Sequence, residues 1–155
     1  MDTDPITIIQ TIIDGTVEGG GPPPYIEGMR LDGMVFTAVE KGKFTLEWTP
    51  AMHHCHYDGI VQGGVINVIA DSGQAFAFWS SANSESNENY STAEFSTRFF
   101  RPIKADETMI VESTVLNRSR RLGVIESNFT HAETGKLHAK VTGSWMLVNR
   151  DFGEG

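Results

Sequence analysis

One segment of this 155-residue chain is apolar almost all the way round when it is projected as a helix. It runs from about Gly64 to Ser80 and predicts a long helix buried in the core. A narrow polar stripe along this helix carries Asn67, Asp71 and Gln74. An ionised carboxylate in a core is costly unless it is paired, hydrogen-bonded or open to a solvated cleft. Asp71 is therefore either a structural acid with a satisfied partner or a functional group.

Alternating apolar and polar positions predict strands on both sides of this helix. Before it, the alternation at residues 34–39 and 44–48 flanks a Glu-Lys-Gly-Lys turn, as in a hairpin. After it, four further strands are predicted at 91–100, 108–117, 122–131 and 136–148. Strands that flank a single apolar helix favour an α+β fold, in which an antiparallel sheet is wrapped around one long central helix.

The first 32 residues have a different pattern. Asp4 and Pro5 precede five isoleucines and Gly15, which predicts a short amphipathic helix with an Asp N-cap and a Gly stop, although the β-branched run also leaves a strand open. A Gly/Pro segment at 19–24 then predicts a loop, and 81–89 predicts an exposed connection. We expect one domain overall, with 1–32 as an N-terminal helix and loop and 33–150 as the main body.

Composition excludes several classes of protein. A net charge of −8 argues against a nucleic-acid or anionic-membrane binder, and no apolar run has the length of a membrane span. The single cysteine, Cys55, excludes an intramolecular disulfide, and the N-terminus lacks a signal-peptide pattern, so we expect a cytoplasmic protein. Half of the basic residues nevertheless cluster between 98 and 121, which predicts either a phosphate-binding patch or solvated strand ends.

A glycine pair begins the predicted helix. Gly63 and Gly64 allow a ligand to approach the backbone closely at a helix start, where unpaired N–H groups favour developing negative charge. Asp71 follows two turns later and has a reference pKa of about 3.9, so an ionised carboxylate there suits a base or nucleophile better than an acid. The two features together predict donors that could stabilise an oxyanion beside a nucleophile or base.

The run from His56 to Gly64, followed by Asp71 nine positions after Gln62, resembles hotdog-fold acyl-CoA thioesterases of the phenylacetate type, a 4-hydroxybenzoyl-CoA thioesterase-like family. That family commonly reads N-x-x-G-x-x-H-G-G before an apolar helix with an acid. This chain has His56 and Gln62 where the family has its asparagine and histidine. The resemblance covers about residues 33–148 and includes a strand that ends in an arginine-proline turn.

The resemblance implies a hotdog fold and a role for each site residue. Asp71 would attack the thioester or activate water, Gly63 and Gly64 would polarise its carbonyl, and Gln62, His56 and Thr92 would complete the catalytic group. Apart from the resemblance, the polar stripe and the basic cluster predict a substrate-binding group of Asn67, Gln74, Arg101, Arg118, Arg120 and Arg121. The family's site usually lies between subunits, which implies a homodimer or a dimer of dimers. No metal or redox cofactor is implied, and coenzyme A enters as part of the substrate.

Other readings remain open at this stage. Four contiguous residues are unsuited to converge on one metal ion: His53, His54, Cys55 and His56. Cys55 has a neighbouring histidine and could be a thiol nucleophile, although adjacency in sequence rarely gives catalytic geometry. An enoyl-thioester hydratase or dehydratase would pair His56 with Asp71, whereas a non-catalytic acyl-CoA sensor would keep only the pocket. Aromatic side chains could line an acyl tunnel or simply fill the core: Phe76, Phe78, Trp79 and Phe95.

Overall fold

The computed structural model describes residues 4–16, 21–83 and 89–148. The predicted central helix and all six predicted strands are confirmed, with bounds within two residues of those expected. In chain order the elements are α1 (Pro5–Ile13), α2 (Pro24–Gly28), β1 (Met34–Glu40), β2 (Lys43–Trp48), α3 (Gly63–Ser80), β3 (Asn89–Phe99), β4 (Met109–Arg118), β5 (Leu122–His131) and β6 (Leu137–Val148).

The six strands form one antiparallel sheet in the order β1-β2-β4-β5-β6-β3. Helix α3 packs against one face of this sheet, and buried and less buried positions alternate along β2, β4, β5 and β6 as the pleat requires. An antiparallel sheet around a single long helix is the hotdog fold, so the predicted fold class is confirmed. Strands β1 and β3 are its two edges.

Helix α3 sits close to the sheet because glycines face it. A Cβ at Gly123 would overlap the ring of Phe78, and a Cβ at Gly143 would overlap the side-chain amide of Gln74. Both of these α3 side chains are completely buried. The polar stripe predicted on the helix therefore runs from an open end at Asn67 and Asp71 into the core at Gln74.

The N-terminal helix begins and ends as the sequence predicted. The Asp4 carboxylate accepts a hydrogen bond from the Thr7 backbone N–H at 3.0 Å, Pro5 is the first helical residue, and Gly15 adopts a positive φ of 68° beyond the end. Ile9 is completely buried, and α1 packs across β1 and α3. The strand alternative for the isoleucine run is wrong.

The predicted loop at 19–24 needs a correction. Residues 17–20 lie outside the described part of the chain, as do 84–88 of the predicted connection, but Pro24 begins the short helix α2. Proline favours the first turn of a helix because its φ is already helical and its missing N–H has no helical partner there. The last proline of the run is therefore the first residue of a helix rather than part of a loop.

Two histidines hold α2 in place. His54 is buried, with Nε2 3.0 Å from the carbonyl oxygen of Met29, while its Nδ1 accepts a hydrogen bond from the Ala51 backbone N–H. Nε2 of the neighbouring His53 lies 3.1 Å from the carbonyl oxygen of Arg30. Two of the four contiguous residues that were considered as metal ligands, His53 and His54, thus tie the end of α2 to the turn after β2.

Candidate active site

The carboxylate of Asp71 is held by a hydroxyl from the edge strand. Thr92 on β3 donates a hydrogen bond from Oγ1 to Oδ1 of Asp71 at 2.5 Å. One turn earlier on α3, Thr97 donates from Oγ1 to Oδ1 of Asn67, also at 2.5 Å. Strand β3 therefore follows the polar stripe of α3 and supplies a threonine to each of its two open positions.

This double contact depends on a β-bulge. Thr92 pairs with Trp145 of β6 and Glu94 pairs with Ser144, so Ala93 is an extra residue in β3. Side chains alternate along a regular strand, and residues five positions apart would point to opposite faces. The bulge adds one residue, so that both threonines face α3.

Burial and hydrogen bonding act in opposite directions on Asp71. Burial raises the pKa of the Asp71 carboxyl above its usual value, and the hydrogen bond from Thr92 opposes part of that rise. Only Oδ1 is engaged in the described residues, so Oδ2 remains available to a water molecule or a substrate. A half-buried carboxylate with one free oxygen and a raised pKa is suited to act as a base or nucleophile.

Asp71 opens into a cleft of about 330 Å³. Asn67, Val68 and Phe95 form one side of this cleft, and Tyr25 and Met29 from the N-terminal segment form the other. Sequence reasoning missed Tyr25, Met29 and Thr97. No sequence motif marks Tyr25 or Met29. Simple alternation along β3 would point Thr97 to the face opposite that of Thr92, and only the bulge brings both onto the face towards α3.

The glycine turn at the start of α3 supplies one donor rather than two. Oε1 of Gln62 caps the helix by accepting from the backbone N–H of Gly64 at 2.6 Å and from that of Val65 at 3.3 Å. The Gly64 N–H is therefore already engaged, which corrects the predicted role of Gly64. The Gly63 N–H has no acceptor among the described residues, and the amide nitrogen of Gln62 also remains available.

A second cleft, of about 420 Å³, lies at this end of the helix. Gly63 lines it together with Ile66, Phe99 and the segment 100–103. Arg101 is exposed at this cleft and donates from Nη1 to the carbonyl oxygen of Leu137 at 2.7 Å, which fixes the cation near the glycine turn. Arg101 is thus the predicted substrate-binding arginine that lies beside a candidate oxyanion donor.

The remaining predicted site residues lie elsewhere. Arg118 stacks on the Phe78 ring at 4.4 Å and donates to the Phe78 carbonyl and Ser81 hydroxyl, near the opposite end of α3. Arg120 and Arg121 are exposed in the β4–β5 turn, and His56 lines a separate cleft with Met52, Cys55 and Tyr57. The basic cluster seen in the sequence is therefore divided between the two ends of the helix.

Gln74 is a core residue rather than part of an open site. Its amide nitrogen donates to the Ser127 hydroxyl at 3.2 Å and to the Val141 carbonyl at 3.0 Å, while its oxygen accepts from the Trp145 indole at 2.9 Å. Its side chain is completely buried. Gln74 has no surface for a ligand in this structure, which corrects its predicted binding role.

Three further observations concern metal binding, the Cys55 thiol and membrane-spanning helices. Within the described ranges, no three His, Cys, Asp or Glu side chains are grouped so that they could hold a metal ion. Burial raises the pKa of the Cys55 thiol, which disfavours the thiolate form that a nucleophile requires. In the same ranges, none of the helices combines the length and the apolarity needed to cross a membrane.

Comparison with known proteins identifies the family. The family model described as the thioesterase superfamily matches residues 58–138, just over half of the chain. This match covers the glycine turn, Asp71, Thr92 and Arg101. The chain belongs to the thioesterase superfamily. No curated protein sequence matches it significantly.

Several solved structures share the fold. The Escherichia coli PaaI protein from the phenylacetic acid degradation operon has a TM-score of 0.75 and 14% identity, with 96% of each chain covered. Zebrafish thioesterase superfamily member 2 has a TM-score of 0.74 and 18% identity, covering 92% of this chain and 98% of its own. A Streptococcus mutans protein bound to acetyl CoA has a TM-score of 0.68 and 17% identity, covering 75% and 89%. At these identities the similarity describes the fold.

Proposed function

We propose that this protein hydrolyses acyl-CoA thioesters to a free acid and coenzyme A, with Asp71 as the general base or nucleophile. The observation that carries the proposal is the hydrogen bond from Thr92 to Asp71 at an open cleft on a buried helix. A purely structural acid would be expected to have a cation or several donors as partners. Membership of the thioesterase superfamily supports the same class of reaction.

The chemistry requires an activated water or a covalent step at the thioester carbon. With Asp71 as base, Oδ2 takes a proton from water, the hydroxyl adds to the acyl carbon, and the carbon–sulfur bond breaks. The CoA thiolate leaves and takes up the proton, so the products are the carboxylic acid and the thiol. With Asp71 as nucleophile, Oδ2 attacks the acyl carbon, the carbon–sulfur bond breaks and the CoA thiolate leaves, which gives a mixed anhydride. Water then hydrolyses the anhydride, which releases the acid and regenerates Asp71, and a proton from that water ends on the thiolate. In both routes Thr92 fixes Oδ1 and orients Oδ2.

The Gly63 N–H is the proposed donor to the oxyanion that develops on the thioester carbonyl. Gln62 supports it in two ways, since Oε1 caps the helix and the amide nitrogen remains free to donate. The positive end of the helix dipole adds to the stabilisation at this point. A glutamine in place of the family's usual histidine is compatible with this role.

A single protomer cannot bring Asp71 and Gly63 to one carbonyl. The two residues are eight positions apart on a straight helix, which is about 12 Å at 1.5 Å per residue. Reacting groups must lie within about 3–3.5 Å of each other. We therefore infer a site between two protomers, in which Asp71 of one faces Gly63 of another, in a homodimer or a dimer of dimers.

The exposed edge of β3 supports association of this kind. Among the described residues β3 pairs only with β6, so the outer edge of this eleven-residue strand has backbone groups available for a second copy. The protein has a net charge of −8, so the anionic phosphate groups of CoA need a local cation to bind. Arg101 at the Gly63 cleft would supply it.

The proposal is tested by thiol release from acetyl-, hexanoyl-, decanoyl-, palmitoyl-, benzoyl- and phenylacetyl-CoA. Wild type is compared with Asp71→Asn and with a control of the same chemistry at an exposed turn residue, Asp32→Asn. We expect turnover of at least one thioester, a loss of roughly a hundredfold or more in Asp71→Asn and no loss in the control. Binding of thioesters without any thiol release would refute hydrolysis, and full activity of Asp71→Asn would refute the role of the carboxylate.

A further inference from the structure

A second apolar cavity lies beyond the Asp71 cleft, between the N-terminal segment and the body of the protein. This N-terminal chamber has a volume of about 550 Å³, within the range of small-molecule sites. It is closed on one side by α1 and by residues 21–26, and on the other by β1 and α3. Its apolar side chains are Ile12, Ile26, Met34, Phe36, Phe76 and Trp79.

The lining of the chamber selects against charge. Among the described residues that line it, none is Asp, Glu, Lys, Arg or His, and Tyr25 is the one with a titratable side chain. The Phe36 and Phe76 rings meet edge to face with centroids 5.0 Å apart, so two walls support each other. A charged group placed against this apolar lining would lose part of its hydration without gaining a partner, whereas a hydrocarbon would replace water favourably.

Tyr25 connects the chamber to the proposed catalytic cleft. Its side chain lines both cavities, and its hydroxyl forms a hydrogen bond of 2.7 Å with the hydroxyl of Ser72, the residue after Asp71. Val68, Ser72, Phe76 and Trp79 share one face of α3, because they are separated by four, four and three positions. This face of α3 runs from Val68 at the catalytic cleft, past the Tyr25–Ser72 contact, to Phe76 and Trp79 in the chamber.

The walls of the chamber are anchored rather than loosely placed. The end of α2 is held through the carbonyls of Met29 and Arg30 by the two histidines after β2, and Leu31 is buried in the core. On the same side of the chamber, the buried Ile9 fixes α1, which packs against β1 and α3. A cavity with fixed walls needs little reorganisation to accept a ligand.

We propose that the N-terminal chamber binds the hydrocarbon tail of the acyl group, so that the preferred substrates are thioesters of medium-chain, uncharged acids. This inference rests on the proposed function. From Asp71 to Trp79 the helix rises about 12 Å, a distance that an acyl chain of about eight to twelve carbons spans. Most residues that line the chamber lie outside the segment matched by the family model.

The first test compares substrates on the wild-type protein. A fully buried methylene strengthens apolar binding by about fourfold, so burial of four of the extra methylenes of decanoyl-CoA would already give a preference of about 250-fold. We therefore expect decanoyl-CoA to exceed acetyl-CoA by at least a hundredfold in kcat/KM. Decanoyl-CoA with a terminal carboxylate keeps the length but adds a charge at the tail, and it is expected to lose most of that advantage. Equal kcat/KM values for the decanoyl substrates with and without the carboxylate would overturn the proposal.

The second test narrows the chamber. Ile26→Trp enlarges a side chain that lines it, and Ile110→Trp makes the same change on the sheet face opposite α3 as a matched control. We expect Ile26→Trp to lower the ratio of decanoyl to acetyl turnover by tenfold or more, while Ile110→Trp leaves the ratio unchanged. An unchanged ratio in a folded Ile26→Trp would refute the chamber.

Binding of the non-hydrolysable decyl thioether of CoA gives a readout that is independent of catalysis. Its affinity for Ile26→Trp is expected to fall by tenfold or more, while the affinity of free CoA stays the same. If thioesters are hydrolysed but the affinity for the thioether is the same in Ile26→Trp as in wild type, the proposed binding of the acyl tail in the chamber is wrong and the proposed function stands. If the affinity falls as expected but no thioester is hydrolysed, the chamber stands and the proposed function fails.

Discussion

Replacing Thr92 by valine tests the most specific contact in the proposed site. Valine has nearly the same shape as threonine and a high preference for strands, so β3 and its bulge should be retained. The substitution removes the hydroxyl that donates to Asp71 at 2.5 Å. Burial, the main cause of the raised pKa of Asp71, then acts without the opposing hydrogen bond. The carboxyl should hold its proton to a higher pH.

The size of the effect follows from the strength of the contact. A hydrogen bond to a charged group contributes about 1.5–3 kcal/mol, and the lower value applies because both side chains are only half-buried. Since one pH unit corresponds to about 1.36 kcal/mol, the acid limb of the kcat/KM profile should move up by about one unit. Near the foot of that limb, the rate should fall by about tenfold.

The assay is the pH dependence of kcat/KM for the best CoA thioester, measured beside Thr97→Val. Thr97 lies on the same strand and makes a hydrogen bond of the same length, but to the uncharged Asn67. That control should leave the acid limb where it is in wild type. An acid limb that does not move in Thr92→Val, or that moves equally in Thr97→Val, would refute the assignment of Asp71 as the ionising group.

Three further predictions concern other parts of the site. Gly63→Pro removes the proposed oxyanion donor, so kcat should fall about 10²–10³-fold. The first position of a helix favours proline and the preceding residue is already extended at ψ 130°, so far-UV circular dichroism should be unchanged. Gly63→Ala keeps the N–H, and an equal loss of kcat in that variant would contradict the role of the donor. Asp71→Asn should raise the thermal unfolding temperature at pH 7, because a carboxyl with a raised pKa in the folded state loses its stabilising contribution as the pH rises through that pKa. The gain in unfolding temperature should shrink on acidification. A gain that stays constant with pH would contradict the raised pKa of Asp71. Arg101→Ala should raise KM for CoA thioesters but not for N-acetylcysteamine thioesters, which lack phosphates. Arg121→Ala is the control and should leave both KM values unchanged. An equal rise in KM for both kinds of thioester in Arg101→Ala would exclude a phosphate contact.

Most of the fold could be predicted because hydrophobic periodicity is a local signal. The alternation of β2 and the all-round apolar pattern of α3 placed both elements within one residue of their observed bounds. The β3 bulge at Ala93 was not visible, because an inserted residue shows only when the pairing with β6 is known. Helix α2 was missed because a proline run is as compatible with a loop as with a helix start.

The candidate site could be predicted only in part. Asp71 stood out because a carboxylate on a buried helix needs an explanation, and Gly63 because a glycine pair precedes that helix. Gln74 carried the same signal of a polar residue on an apolar helix, yet its partners Ser127 and Trp145 come from distant strands that the sequence does not pair. Position on a helical projection does not distinguish an open cleft from a satisfied core.

The division of the arginines has a similar origin. Arg101 and Arg118 are close in sequence but lie near opposite ends of α3, because β4 crosses the sheet between them. Proximity along the chain therefore predicted one basic patch where the structure has arginines in two separate places. Within one protomer, Arg101 is the arginine placed beside a group proposed for catalysis.

The central claim is that each site combines Asp71 of one protomer with the Gly63 N–H of another. Subunit complementation tests it most directly: Asp71→Asn and Gly63→Pro chains with different affinity tags are co-expressed, and thiol release is measured on the mixed species after purification through both tags. A mixed dimer contains one site with both wild-type groups and one with neither, so we predict about half of the wild-type activity per dimer. Activity no greater than that of the two variants alone would contradict a shared site.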